Sequence, residues 1–274
     1  MPVPDLSRLA IHTITTRPWS LEQCLDGYRR AGVPALTVWR QAIAALGAER
    51  AGALIRRSGM AVAALCRGGF FPAFAPAARA AALADNRRAI DEAAALGAPM
   101  VVLVCGAVPG MALPDARAQI RDGLAALEPY ARASRVRLAI EPLHPLYAAD
   151  RSAINTMAQA RALCRELASP WIGIAVDVYH CWWDDGLEAA IQAAGAAGTL
   201  FGFHLCDWRV ETRDPLNDRG LMGEGCIDLA QIRGWMDGAA FTGWHEVEIF
   251  STAHWARDQD EFVADIVAAY RARC

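Results

Sequence analysis

At 274 residues, 54% of them hydrophobic and 21% charged, the chain can bury a sizeable core, and its composition argues against a disordered chain. A formal net charge of -3 and a pI near 6.1 give no electrostatic pull toward nucleic acid or an anionic membrane. All 27 basic residues are arginine, which excludes lysine Schiff-base chemistry and the lysine of a nucleotide phosphate loop.

Taken in chain order, short apolar runs alternate with longer helical stretches. Strands are predicted at 9–15 (LAIHTIT), 35–40 (ALTVWR), 60–66 (MAVAALC) and 100–106 (MVVLVCG). Four more follow at 137–143 (RLAIEPL), 171–177 (WIGIAVD), 200–207 (LFGFHLCD) and 244–251 (WHEVEIFS). Between them, Ser20 caps a helix that closes on Gly32, Pro114 opens a helix reaching about 134, and Asn155 caps the run to about 167. Asp228 and Asp258 start the last two helices, and the alanine-rich stretch 76–84 reads as helix rather than linker. Eight strand–helix units in a chain of this length favour a closed barrel over an open sheet. The expected fold is α/β, a single (β/α)8 TIM barrel, with residues 1–274 as one catalytic domain.

The eight cysteines are scattered without a Cys-x-x-Cys pair, as expected of buried thiols in a reducing compartment. The first residues carry no secretory pattern, and no apolar run approaches the ~18 residues of a membrane span. A soluble cytoplasmic protein, without membrane or nucleic-acid partners, is expected.

In this architecture chemistry gathers at the C-terminal ends of the strands. The last four strands each place one chemically capable residue there: Glu141, Asp177, His204 and Glu248. Period-two alternation puts them on the face that carries Ala139, Ala175, Gly173 and Gly202. The opposite face carries Leu138, Ile140, Ile174, Val176, Phe201, Phe203, Val247 and Ile249, as packing against outer helices requires. Three converging carboxylates would repel one another by several kcal/mol in a low-dielectric site. One divalent ion held by Glu141, Asp177, His204 and Glu248 removes that repulsion, and the mixed oxygen and nitrogen set suits Mn2+, Mg2+, Co2+ or Zn2+. Glu246 shares the face of Glu248 one pleat deeper and is read as its partner rather than as the ligand.

The segments IEPL, DVYH, FHLCD and VEIF, in this order and one per strand, resemble the xylose-isomerase-like barrel superfamily, as do TTRPWSLEQ and RGLMGEGCIDL. That group includes sugar phosphate isomerases and epimerases, inosose dehydratases and endonuclease-IV-type repair enzymes. The resemblance implies metal binding by the four residues named, with Mn2+ the first expectation, and acid/base roles for Glu141 and Glu248. It also implies a substrate contact for His180, three residues after Asp177. Relatives are often dimers or tetramers, which makes a homo-oligomer the implied state. The repair branch adds histidines on the third and fourth strands and an Asp-x-His. Here those strands end in Cys66-Arg67 and Cys105-Gly106, and the last motif reads Asp218-Arg219-Gly220, so DNA repair is not expected.

The reading is therefore a metal-dependent sugar isomerase or epimerase acting on a keto-sugar or polyol, in which Glu141 and Glu248 remove and return a proton through a metal-stabilised enediolate. Arg209, Arg213 and Arg219 cluster after His204, and Arg213 is the candidate substrate contact among them. Trp39 and Arg40, together with Trp182 and Trp183, are candidate walls for a sugar ring; packing under loops is the other reading. A dehydratase or keto-glycoside lyase using the same metal and base is the alternative enzyme. A sugar-binding barrel without activity is the non-enzymatic one.

Overall fold

The computed structural model describes residues 5–274. Eight parallel strands close in sequence order into a barrel: β1 (Leu9–His12), β2 (Ala35–Trp39), β3 (Ala61–Gly69), β4 (Met100–Val104), β5 (Arg137–Glu141), β6 (Ile172–Asp177), β7 (Leu200–Leu205) and β8 (His245–Val247). β1 pairs with both β2 and β8, so no edge is left open. This is a single (β/α)8 TIM barrel.

Local chemistry explains where the helices begin. The helix Leu21–Arg30 starts with a reciprocal capping box: Ser20 Oγ accepts from the Gln23 N–H, and Gln23 Oε1 accepts from the Ser20 N–H. Asp228 and Asp258 cap Leu229–Gly238 and Gln259–Arg273 in the predicted way. The predicted cap at Asn155 is off by one residue. Thr156 caps Met157–Leu167, while the buried Asn155 amide donates to the Leu143 and Ser152 carbonyls. Two amide donors suit Asn155 to tying down the β5 loop, and the Thr156 hydroxyl is free to accept the helix N–H.

Alternation along the strands sorts the core. Leu138, Ile140, Ile174, Val176, Phe203, Leu205, Val247 and Ile249 join the layer between barrel and helices. Ala64, Cys66, Met100, Val102, Ala139 and Ala175 fill the barrel interior, with Ala10, Ala35 and Ala63 in a separate small-residue cluster. Phe201 departs from the expected outer face and packs with the interior group. The register between β6 and β7 shifts at Ile174/Ala175, and Gly173 has no side chain, leaving space for the ring; an added Cβ there would lie 2.5 Å from it. The bulky floor at Phe201 and Met100 leaves the open volume of the barrel at the C-terminal ends of the strands.

At the end of β3, Gly69 has a φ of +107°, and a Cβ there would lie 1.9 Å from the Val104 carbonyl oxygen. The buried Asn86 side chain, from the helix Pro76–Leu96, brackets this glycine by accepting its N–H at 2.6 Å and donating to its carbonyl at 2.7 Å. No helix among the described residues is long and apolar enough to cross a membrane.

Candidate active site

Glu141 ends β5, Asp177 ends β6, His204 lies one residue before the end of β7, and Glu248 follows β8 directly. All four are buried, and each offers one donor atom within 4.8 Å of the others. The strand register brings them together: Asp177 pairs with His204 across β6 and β7, and Glu246 of β8 pairs with His204.

His204 Nδ1 stands 2.9 Å from Glu141 Oε1, yet neither atom has a hydrogen-bond partner, and His204 Nε2 has none either. Burial disfavours a charge on His204, but the Glu141 contact and the field of Glu246 outweigh it and hold the pKa up at about 10. Both ring nitrogens of this buried histidine are thus left without a hydrogen-bond partner among the described residues. A divalent cation would be an alternative counter-charge, and three carboxylates with one imidazole are a donor set such ions accept. The residues therefore fit a metal ion.

Arg219 is the counter-charge supplied by the chain itself. Its Nη1 donates to Asp177 Oδ2 and to Glu248 Oε2, each at 2.9 Å, and its guanidinium lies over Tyr179 and Phe250 at 4.4 and 5.2 Å. Burial pushes Asp177 up to about 6 against the pull of Arg219. At Glu248 burial acts the same way, but His12 and Arg219 prevail and hold the carboxyl well below its usual range.

Asp177 also accepts the Tyr179 N–H at 2.8 Å, capping the one-turn helix Val178–Cys181 that carries His180. His180 Nε2 is 3.2 Å from Arg219 Nη2. Arginine has only donors, so Nε2 accepts and Nδ1 carries the proton. Burial and the adjacent arginine charge push the His180 pKa well below 6.5, which keeps the ring neutral. Its Nδ1 has no partner.

Beneath this layer, Glu246 accepts from Thr37 at 2.5 Å and stands 3.6 Å from His12 Nε2 and 3.9 Å from His204 Nε2. Glu246 is thus the deeper carboxylate, in a smaller group with His12 and His204, while Glu248 belongs to the four-residue cluster. His12 was not anticipated, although LAIHT places it at a strand end in the manner of His204. Its Nδ1 lies 2.9 Å from Glu248 Oε1 and 3.1 Å from the Trp39 indole nitrogen.

A cavity of about 340 Å3 opens above the cluster, lined by Glu141, Glu248, His180, Arg219, Trp39 and Phe250 among others. That volume lies within the range of small-molecule sites. Four expected substrate contacts do not line it, among them Trp182, which packs against Trp208 at 5.8 Å. Arg40 begins the short helix Arg40–Ile43 and turns outward, where it forms ion pairs with Asp85 and Glu92. Trp183 donates its indole N–H to the His180 carbonyl at 2.8 Å and packs edge-on against His144. Arg213 is exposed on the loop after β7, and among the described residues only its backbone N–H is bonded, to Asp218. The loop instead delivers Arg219, because an antiparallel bridge between Asp207 and Gly220 folds it back over the barrel mouth.

A closed eight-stranded barrel agrees with the family comparison. The family described as xylose isomerase-like TIM barrel matches residues 25–266. The chain belongs to that family. Among solved structures, a Sinorhizobium meliloti protein is 46% identical, over 98% of this chain and 99% of that one, with a TM-score of 0.96. The IOLI protein, solved with a bound zinc atom, superposes with a TM-score of 0.84 at 17% identity, over 97% of this chain and 99% of its own. The 3-keto-D-glucoside 4-epimerase YcjR of E. coli gives 0.78 at 18% identity, again over 97% and 99%. At such identities these last two family-like structures speak to the fold alone. No curated protein matches the sequence.

Proposed function

We propose that this protein is a divalent-metal-dependent enzyme that isomerises or epimerises a keto-sugar or related polyol by proton transfer between Glu141 and Glu248. The observation that carries the reading is that both glutamates line one cavity and both belong to a four-donor cluster with Asp177 and His204. Pure binding has no use for two carboxylates at a reacting centre, whereas a proton that leaves and returns needs an acceptor and a donor.

When bound by Glu141, Asp177, His204 and Glu248, a divalent ion supplies positive charge that acidifies the C–H beside a carbonyl. Glu248, fixed by the Arg219 donor at 2.9 Å and facing the cavity, is placed to accept that proton. Glu141 stands at the other end of the cluster and returns it. The unpartnered Nδ1–H of His180 is a donor for a substrate oxygen, and Trp39 and Phe250 supply apolar wall. Arg219 tethers Asp177, Glu248 and His180 at once and stabilises negative charge that develops on the substrate. The epimerase activity in the name of the E. coli relative supports this reaction class, and the zinc in the IOLI structure sets Zn2+ beside Mn2+ as the ion to test.

The test is proton NMR in D2O with Mn2+- or Zn2+-supplemented protein and a panel of ketoses, ketose phosphates, inososes and 3-keto-glycosides. The proposal predicts deuterium entering beside the carbonyl together with a new isomer. An unsaturated product with loss of water or aglycone would move the assignment to a dehydratase or lyase. No metal-dependent change with any compound would contradict the proton-transfer reading.

A further inference from the structure

The cavity mouth carries more positive charge than its interior needs. Arg17, Arg67 and Arg151 line the same cavity as Glu141 and Glu248. Each guanidinium lies against an aromatic ring: Arg17 over Trp255 at 4.9 Å, Arg67 over Phe70 at 4.3 Å and Arg151 over Tyr147 at 5.7 Å. None of the three has an acidic partner or a side-chain hydrogen bond among the described residues. Other arginines have acidic partners: Arg40 has Asp85 and Glu92, Arg209 has Asp218 and Glu224, and Arg219 has Asp177 and Glu248.

The interior does not call for these three charges. Glu141, Asp177 and Glu248 are balanced by Arg219 and one divalent ion, and Glu246 is held by Thr37 and His12. The chain as a whole is acidic at -3, so a cationic mouth is local. Arg67 and Arg151 are close enough to oppose each other; burial and the Arg151 charge hold the Arg67 pKa below the usual guanidinium range. Like charges gathered on a partly buried wall, each pre-oriented on an aromatic face with its fork unsatisfied, are suited to an oxyanion that accepts several N–H bonds at once.

We propose that the substrate is anionic, a keto-sugar bearing a carboxylate or phosphate group that Arg67 and Arg151, assisted by Arg17, hold at the cavity mouth while its carbonyl end meets Glu141 and Glu248. This deepens the proposed function and rests on it for the position of the reacting end.

The test measures binding of three probes to Mn2+-loaded protein by calorimetry: D-fructose, D-fructose 6-phosphate and 2-keto-D-gluconate. At least one anion should bind about tenfold or more tighter than fructose, as charge-assisted pairs give. The tighter anion tells phosphate from carboxylate. In the Arg67→Gln/Arg151→Gln double variant the preference should fall below about threefold, whereas Arg67→Lys should keep part of it. Anions that bind no better than fructose would overturn the proposal. So would a preference that survives in the double variant, because the metal rather than the arginines would then be its source. Deuterium exchange into fructose without any anion preference would leave the proton-transfer reading standing and remove this one.

Discussion

Replacing Arg219 with methionine keeps much of the side-chain volume and removes the charge that joins Asp177 to Glu248. Those residues offer oxygens within 4.8 Å of each other. At an effective dielectric constant of about 20, two unit charges at that separation repel by about 3.5 kcal/mol. Breaking a buried ion pair from one side costs about 3–5 kcal/mol by the same reasoning. Arg219→Met should therefore lose about 3–5 kcal/mol of stability in EDTA, measured by urea denaturation at about pH 8, where protonation of Asp177 relieves the repulsion least. With saturating Mn2+ the same substitution should cost far less, because the ion replaces the missing charge and no longer faces a neighbouring guanidinium. An equal loss with and without Mn2+, or a loss below about 1 kcal/mol in EDTA, would refute the view that Arg219 and a cation serve the same carboxylates.

Three further outcomes are expected. Equilibrium dialysis should find one tightly bound divalent ion per chain, with Asp177→Asn weakening it by at least about tenfold; unchanged affinity would remove Asp177 from the ligand set. Asn86→Ala strips the Gly69 N–H and carbonyl of their buried partner and should cost about 2–4 kcal/mol in urea denaturation; a loss below about 1 kcal/mol would show that Asn86 does not hold the end of β3. Burial, aided by Arg8 and Arg233, pushes His245 down to about 3 from 6.5, so the unfolded chain protonates first as pH falls. His245 therefore contributes its full stability above about pH 6.5 and loses it toward pH 3, at about 1.4 kcal/mol per pH unit. His245→Asn, which keeps an acceptor for the Tyr270 hydroxyl, should flatten that slope by about one proton; an unchanged slope would contradict it.

The barrel and its four-residue cluster were legible because both depend on period-two alternation. Ala139 below Glu141 and Ala175 below Asp177 mark the inner face, and the large residues between them mark the outer one. Phe201 escaped that rule because the shift between β6 and β7 turns it inward over Gly173. Residues beyond the strands were harder to read. Arg40 and Trp183 follow strand ends in sequence, but one-turn helices there rotate them away from the cavity. Arg213 and Arg219 lie six positions apart on one loop, and the bridges Asp207–Gly220 and Asp218–Ser251 on either side of Arg219 turn it into the barrel. His12 carried the same strand-end signal as His204, on a strand outside the four that supply the cluster.

If Glu141 and Glu248 exchange a proton with substrate at a metal site, isotope exchange reports it. Wild type, Glu141→Gln and Glu248→Gln, each checked for folding, would be followed by proton NMR in D2O with Mn2+ and with EDTA, on the substrate the panel identifies. Metal-dependent deuterium incorporation is expected in the wild type, and its loss, by about a hundredfold or more, in both variants. Full exchange in either variant, or in EDTA, would contradict it.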